Sequence, residues 1–137
     1  MENRTFTLDE ANALLPRLKE DLGNVQALMA ELRTRYVKLQ KRKALHKQMS
    51  IGTEEDPFFE EEGKLDFMRA EAELLLENFK RNGVLLKSIE PGLIDFPAVL
   101  DGKDVLICWM EGEESITHYH GWHDGFAGRK SLSDREE

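Results

Sequence analysis

The fold is decided by residues 8–39, which read LDEANALLPRLKEDLGNVQALMAELRTRYVKL. Apolar residues recur there at alternating steps of three and four, at Leu8, Ala11, Leu15, Leu18, Leu22, Val25, Met29, Leu32, Tyr36 and Leu39. This spacing is typical of a long helix that keeps one apolar stripe against a partner helix. Thr7 and Glu10 predict a capping box at the start of this helix. Pro16 is expected to bend the helix or to restart it.

A second apolar stripe with the same spacing follows, at Leu65, Met68, Ala72, Leu75 and Phe79. Asp56 and Pro57 predict the start of this second helix. Gly83 suits the position after its end, where the backbone commonly adopts the left-handed conformation. Residues 50–53 predict the turn between the helices. We therefore expect a long, coiled-coil-like antiparallel hairpin over residues 1–83. About fifteen residues of the first helix extend beyond the second and must bury their stripe against the C-terminal module or another subunit.

After Gly83 the period of the apolar residues changes to that of strands. Strands are predicted at residues 84–89, 93–100, 105–110 and 115–120, with a type II turn at residues 90–93 and a hairpin turn at Asp101 and Gly102. Pro97 implies an edge, a bulge or a strand end. The prediction is an α+β protein in which a small antiparallel β-meander over residues 84–129 packs on the hairpin. Residues 130–137 lack a packing pattern and are predicted to form a mobile tail.

Both faces of the strand at residues 105–110 are apolar, so each face needs a cover. We expect the overhanging part of the first helix on one face, and a partner subunit or the C-terminal loop on the other. Because the helical pair has little interior of its own, self-association into a homo-oligomer, most simply a dimer, is predicted.

Composition excludes several classes of protein. With 19 basic and 27 acidic residues the formal net charge is −8, which argues against a general nucleic-acid-binding protein. Residues 33–47 include seven lysines and arginines and no acid, and residues 54–62 include six acids and no base. We favour mutual neutralisation of these two runs over contact with nucleic acid. The single cysteine, Cys108, cannot form an internal disulfide. No secretion signal and no apolar run of about 18 residues is found, so we predict a cytoplasmic protein and no membrane contact.

The densest group of potential ligands is His118, His120 and His123. On a strand His118 and His120 share a face, so the three imidazoles predict a site for a divalent transition metal such as zinc. The sequence leaves four candidates for a fourth ligand, which are Asp124, Glu113, Asp95 and Cys108. If Met110 pairs with Ser115, Cys108 lies on the face opposite the histidines, whereas a slip of one residue brings it to their side. The alternative is a set of solvated or carboxylate-bonded histidines, which we favour.

Two further features have both structural and functional interpretations. The stretch GFAGR at residues 125–129 offers exposed backbone N–H groups and the Arg129 guanidinium to an anion, but we favour a core-packing loop with a paired arginine. Cys108 in an apolar strand is interpreted as an inert core residue.

The chain resembles an uncharacterised bacterial family, the domain-of-unknown-function family 2203. The resemblance rests on FTLDEANALLP at residues 6–16, GLIDFPA at residues 92–98, Cys108 with Trp109, Gly112 with Glu113, His120, and GFAGR at residues 125–129. It implies a cytoplasmic bacterial protein and supplies no reaction. It also implies a different set of site residues, Asp95, Glu113, His120 and Arg129, because His118 and His123 are not part of the family pattern.

These observations support two hypotheses of function. The favoured one is a non-enzymatic, self-associating assembly or adaptor protein, because the hairpin and the two-sided apolar sheet both need covering. The alternative is a small ligand- or metal-binding module, conceivably an enzyme, centred on His120 with Asp95, Glu113 and Arg129.

Overall fold

The structure is a computed structural model that describes residues 4–49 and 56–134. Two helices come first, α1 (Leu8–Met49) and α2 (Phe59–Arg81). Five strands follow, which are β1 (Leu85–Ser88), β2 (Leu93–Leu100), β3 (Lys103–Met110), β4 (His118–His120) and β5 (Lys130–Ser131). They form one antiparallel sheet in the order β1-β2-β3-β4-β5. The predicted α+β fold is confirmed, while the turn predicted at residues 50–53 lies outside the described residues.

α1 starts as its sequence predicts. The Thr7 N–H donates to Glu10 Oε1 at 2.8 Å, and the Glu10 N–H donates to Thr7 Oγ1 at 3.1 Å, which is the predicted capping box. Pro16 does not restart the helix, because α1 runs unbroken from Leu8 to Met49. A continuous apolar stripe on both sides of Pro16 stabilises the helix despite the loss of one backbone hydrogen bond.

α2 packs antiparallel to the C-terminal half of α1. Leu39 and Leu65 are buried together in a small apolar cluster with Phe58. The two charged runs meet beside it as predicted, since Lys43 Nζ lies 2.6 Å from Glu62 Oε2. α2 begins two residues after Pro57, because the Asp56 carboxylate accepts the Phe58 N–H at 2.9 Å and forms a turn before the helix.

α2 ends in the left-handed residue that the sequence predicts. Gly83 has φ = +80°, its N–H donates to Lys80 O at 2.9 Å, and the Val84 N–H donates to Phe79 O at 3.2 Å. This pair of bonds is a Schellman motif, and both of its apolar residues, Phe79 and Val84, are buried. The motif turns the chain from α2 into β1.

The overhanging N-terminal part of α1 is covered by the sheet. Its buried residues share one core with the side chains on the inner sheet face, which we define as the face towards the helices. The members from α1 are Ala11, Leu15, Leu18, Leu22 and Val25, and those from β2 and β3 are Ile94, Phe96, Ala98, Val105, Ile107 and Trp109. The overhang of α1 thus packs on the sheet of its own chain. Within the described ranges, neither helix has an apolar stretch long enough to span a bilayer.

The turns of the sheet match the prediction in one case and not in another. Asp101 (φ = +53°) and Gly102 (φ = +78°) both have positive φ, as the predicted hairpin turn between β2 and β3 requires. The predicted type II turn at residues 90–93 is wrong, because Gly92 does not have the positive φ that this turn needs, and the Glu90–Pro91 peptide bond is cis. Pro97 lies where β2 extends beyond β1, at a local edge, and its carbonyl accepts the Phe6 N–H at 2.7 Å.

The outer sheet face, opposite the helices, is covered by the loop that follows β4. Trp122, Gly125 and Phe126 of this loop line a cavity over Asp95 and Cys108. Lys130 and Ser131 then pair with β4 as β5. The predicted tail over residues 130–137 is therefore wrong in its first part, since two residues were too few to show a strand period; residues 135–137 lie outside the described residues.

Candidate functional site

The outer sheet face brings three polar side chains together at its centre. Asp95 in β2 pairs directly with Cys108 in β3, and His120 in β4 pairs with Leu106, two residues from Cys108. Paired residues of antiparallel strands point to the same face, so Asp95, Cys108 and His120 share one side of the sheet. All three are buried, with exposed fractions of 3–4%.

The register that produces this arrangement differs by one residue from the pairing of Met110 with Ser115. His118 lies opposite Cys108, and Tyr119 lies opposite Ile107. Tyr119 therefore joins the core on the inner face, and Cys108 shares the face of the histidines. The slipped register, one of the two alternatives left open by the sequence, is the one found.

Asp95 and His120 form a close pair. The Asp95 Oδ2 atom lies 3.2 Å from His120 Nε2, and His120 Nδ1 lies 2.8 Å from the carbonyl oxygen of Gly121. Because a carbonyl can only accept, Nδ1 must carry a proton, and a neutral imidazole then has a lone pair on Nε2. Two acceptors so close require a cation between them, which is either a proton or a metal ion.

Cys108 is held from the other side by Arg129. The Arg129 Nε–H donates to Cys108 Sγ at 3.1 Å, and Arg129 Nη2 donates to both carboxylate oxygens of Glu113 at 2.9 Å. Glu113 Oε1 also accepts the Met110 N–H at 2.7 Å, which fixes the carboxylate at the end of β3. The Arg129 guanidinium carbon lies 4.7 Å from the centre of the Phe126 ring, in a cation–π contact.

The electrostatics of the site follow from burial. Burial raises the pKa of the Asp95 carboxyl above its ordinary value, and His120, Lys87 and Arg129 only partly oppose it. Burial also raises the pKa of the Cys108 thiol, against the hydrogen bond and positive charge of Arg129. Burial is the largest single effect on Arg129 and acts to lower its pKa. The hydrogen bonds and charges of Glu113 and Cys108 together outweigh burial, so the pKa of Arg129 is raised.

A small cavity opens over these residues. Its volume is about 110 Å³, and Lys87, Trp122 and Phe126 form part of its wall. The Lys87 ammonium lies 4.0 Å from Asp95 Oδ2 at the exposed side. A cavity of this size holds a few waters or a ligand of a few atoms, and it is too small for a drug-sized molecule, which needs roughly 300 Å³ or more.

Among residues 4–49 and 56–134, one group of potential metal ligands converges. It consists of Asp95, Cys108 and His120, whose ligand atoms all lie within 4.8 Å of one another. His118 and His123 do not belong to this group. The His118 ring accepts or donates a 2.8 Å hydrogen bond with Thr117, and His123 is exposed at a separate surface cavity beside Thr5. The structure therefore does not bring the three histidines together around one point.

The comparisons with known proteins place the chain in a family. A model of the family described as uncharacterized conserved protein (DUF2203) matches residues 4–132. The chain belongs to the DUF2203 family. No curated protein and no solved structure matches this DUF2203 chain significantly.

The residues implied by the family resemblance occupy this site in two pairs. Asp95 bonds to His120, and Glu113 bonds to Arg129, while Cys108 connects the pairs by accepting from Arg129. The sequence analysis favours an inert core residue at Cys108 and names it as a fourth ligand only in the slipped register. Cys108 is buried, and the slipped register places it beside Asp95 and His120. The signal that identifies it is the strand register, because only one of the two registers puts Cys108 beside the histidines.

Proposed function

We propose that this DUF2203 protein is a small metal-binding module that holds a divalent transition metal, zinc in the first instance, between Asp95, Cys108 and His120. The observation that carries the proposal is the convergence of their carboxylate, thiol and imidazole ligand atoms within 4.8 Å in a buried site. Thiolate and imidazole ligands favour zinc and similar metals over magnesium or calcium, which take oxygen ligands.

The spacing of the ligand atoms supports this proposal. Two ligand atoms about 2.0–2.1 Å from zinc at a tetrahedral angle lie roughly 3.3 Å apart. The separation of 3.2 Å between Asp95 Oδ2 and His120 Nε2 matches this distance. One zinc ion would also satisfy the lone pairs that face each other there, in place of a shared proton.

The surroundings of the ligands resemble the outer shell of known metal sites. A histidine that binds a metal usually donates its other ring N–H to a carbonyl or carboxylate, as His120 Nδ1 does to Gly121 O. The Arg129 Nε–H on Cys108 Sγ supports a thiolate in the same way. With three protein ligands, a bound zinc ion would keep a fourth coordination position for water or a ligand, an arrangement that is common in reactive rather than purely structural zinc sites.

The test is metal binding by the untagged protein after treatment with a chelator. We expect one Zn²⁺ or Co²⁺ per chain, with a thiolate-to-cobalt charge-transfer band in the near ultraviolet. His120→Gln is expected to abolish stoichiometric binding, and Cys108→Ser to abolish the charge-transfer band. Circular dichroism of each variant establishes that the protein remains folded.

The matched controls are His118→Gln and His123→Gln, which remove the two histidines outside the group. Both are expected to retain one metal per chain and the same cobalt spectrum. Loss of binding in either control would overturn the ligand set and support the three-histidine site. A folded wild-type protein that takes up no stoichiometric metal would overturn the proposal.

Self-association as an assembly or adaptor protein is a second proposal. The overhang of α1 and the outer sheet face, which motivate it in the sequence, are both covered within the chain. Its support comes instead from α2, where Phe59, Phe67 and Leu74 are more than 60% exposed. A monodisperse monomer in light scattering at high micromolar concentration would overturn it.

A further inference from the structure

The cavity over the proposed metal site has a cationic side chain in its wall. Lys87 of β1 lines the same cavity as Asp95, Cys108 and His120. Its Nζ atom lies 4.0 Å from Asp95 Oδ2, which is an ion-pair distance but is too long for a hydrogen bond. The three N–H donors of this ammonium are therefore not used by Asp95. They remain available to a ligand in the cavity.

The backbone of β1 is irregular at Lys87. The pairing of β1 with β2 shifts between Leu86 and Ser88, so Lys87 is the extra residue of a bulge. Bulges redirect a side chain and occur often beside functional sites. The side chain of Lys87 is about half exposed, with an exposed fraction of 46%, whereas that of Asp95 is 5% exposed. The ammonium thus lies on the exposed side of the cavity, and the proposed metal ligands lie at its base.

The charges around the cavity favour an anion. A zinc ion bound by the Asp95 carboxylate and a Cys108 thiolate would form a neutral group, because the imidazole ligand is uncharged. The Arg129 guanidinium is paired with the Glu113 carboxylate at 2.9 Å. The metal would take up the carboxylate charge that Lys87 faces in the structure. A negative ligand on the metal would replace that charge as the partner of the Lys87 ammonium.

The size of the cavity restricts the anion to a few atoms. Its volume is about 110 Å³. At roughly 30 Å³ for each water molecule in the liquid, this space holds three or four non-hydrogen atoms. Leu93, Trp122 and Phe126 form the apolar part of the wall. These side chains limit the space around the ligand and leave the metal and the ammonium as its polar partners.

We infer that the metal site binds a small monovalent anion of three or four non-hydrogen atoms, such as formate or bicarbonate, with Lys87 as the residue that selects for negative charge. The inference rests on the proposed metal site and names the class of its ligand. Formamide has the same number of non-hydrogen atoms as formate but carries no charge, and benzoate carries the charge but is too large. These two compounds test charge and size separately.

The experiment is a titration of the Co²⁺-loaded full chain with formate in a chloride-free buffer, from about 0.1 to 100 mM. The visible absorption of the cobalt ion reports a change of ligand at the metal. We expect a saturable spectral change with formate. Formamide and benzoate are expected to leave the spectrum unchanged over the same range.

Substitution of Lys87 tests the selection for charge. Lys87→Met removes the ammonium and keeps an unbranched side chain, and it is expected to weaken formate binding roughly tenfold while retaining one cobalt ion per chain. The matched control is Lys103→Met. Lys103 is an exposed lysine at the start of β3, five residues from Cys108. The control is expected to bind formate like the wild type.

The outcomes separate this inference from the metal site on which it rests. Cobalt binding with no response to formate at about 100 mM would overturn the anion site and leave the metal site in place. An equal response to formamide, or an unchanged formate affinity in Lys87→Met, would overturn the selection by Lys87. A folded wild-type chain that takes up no cobalt would overturn both proposals.

Discussion

The packing of α1 against the sheet predicts opposite effects for the same substitution at two glycines. Gly92 is buried in the turn before β2, and a Cβ atom added there would overlap the Leu22 Cδ2 methyl and lie 3.3 Å from Leu22 Cγ. Leu22 is 2% exposed within the main core and has little room to move. We expect Gly92→Ala to cost about 1–3 kcal/mol through overpacking. Since Gly92 lacks a positive φ, steric overlap accounts for the whole effect.

Gly23 provides the matched control. It is exposed in the interior of α1, next to Leu22 in sequence, and an added Cβ atom would meet no atom within 4 Å. Gly23→Ala is expected to stabilise the protein by up to about 1 kcal/mol through helix propensity.

Urea unfolding followed by circular dichroism measures both changes. For a chain of this length, about 1 kcal/mol corresponds to roughly 3–5 °C in Tm, which gives a second measurement. A Gly92→Ala protein as stable as the wild type would refute the contact between α1 and this turn, and with it the position of the overhang on the sheet.

Two further predictions concern side chains that fix the end of β3. Glu111 accepts the Gly92 N–H at 2.8 Å and the Gln26 side-chain N–H at 2.9 Å, and these bonds lower the pKa of Glu111. The stability that these bonds add is present above the ordinary glutamate pKa of 4.5, and it is lost as the pH falls through the lower pKa of Glu111 in the folded protein. In Glu111→Gln, the urea midpoint should therefore fall less steeply with decreasing pH than in the wild type. An equally steep fall in both proteins would contradict this prediction. Arg129→Lys is expected to destabilise by about 1–3 kcal/mol, because one ammonium cannot contact both Cys108 Sγ and the Glu113 carboxylate as Nε and Nη2 of the guanidinium do. An unchanged urea midpoint would show that these contacts add no stability.

The helical half of this fold could be predicted because its apolar residues recur at a regular spacing. The stripe from Ala11 to Leu39 contains nine apolar residues at helical spacing, so a single exception such as Pro16 does not change the prediction. The same holds for the stripe of α2 at Leu65, Met68, Ala72, Leu75 and Phe79. Where a boundary depended on one or two residues, as at Pro57, a local hydrogen bond from the Phe58 N–H to the Asp56 carboxylate moved it.

The candidate site could be predicted in composition but not in arrangement. Asp95, His120 and Arg129 were identified from the residue pattern of the family, whereas the role of Cys108 depends on whether β4 pairs in one register or the next. A shift of one residue moves a side chain to the other face, and both faces of β3 are apolar, so the sequence gives no preference. In the register found, Tyr119 pairs with Ile107 and packs against the core on the inner face.

Gly92 shows that a motif can be recognised for the wrong reason. Pro91 and Gly92 favour a type II turn by composition, yet Gly92 does not adopt the conformation that this turn requires. What excludes a side chain there is Leu22, seventy residues earlier in the chain. Contacts between residues so distant in sequence cannot be inferred from local turn statistics.

Stability alone does not account for the polar residues at the centre of the outer sheet face. Burying Asp95 and His120 removes both from water, and replacement of buried polar pairs by apolar residues of similar size is often neutral or stabilising. Apolar side chains would suit this face equally well, since Leu106 beside them is fully buried. Glu113 and Arg129, in contrast, tie β3 to the loop that covers the face and have a structural reason to be there. This asymmetry between the two pairs supports the metal-binding role that we propose for Asp95, Cys108 and His120.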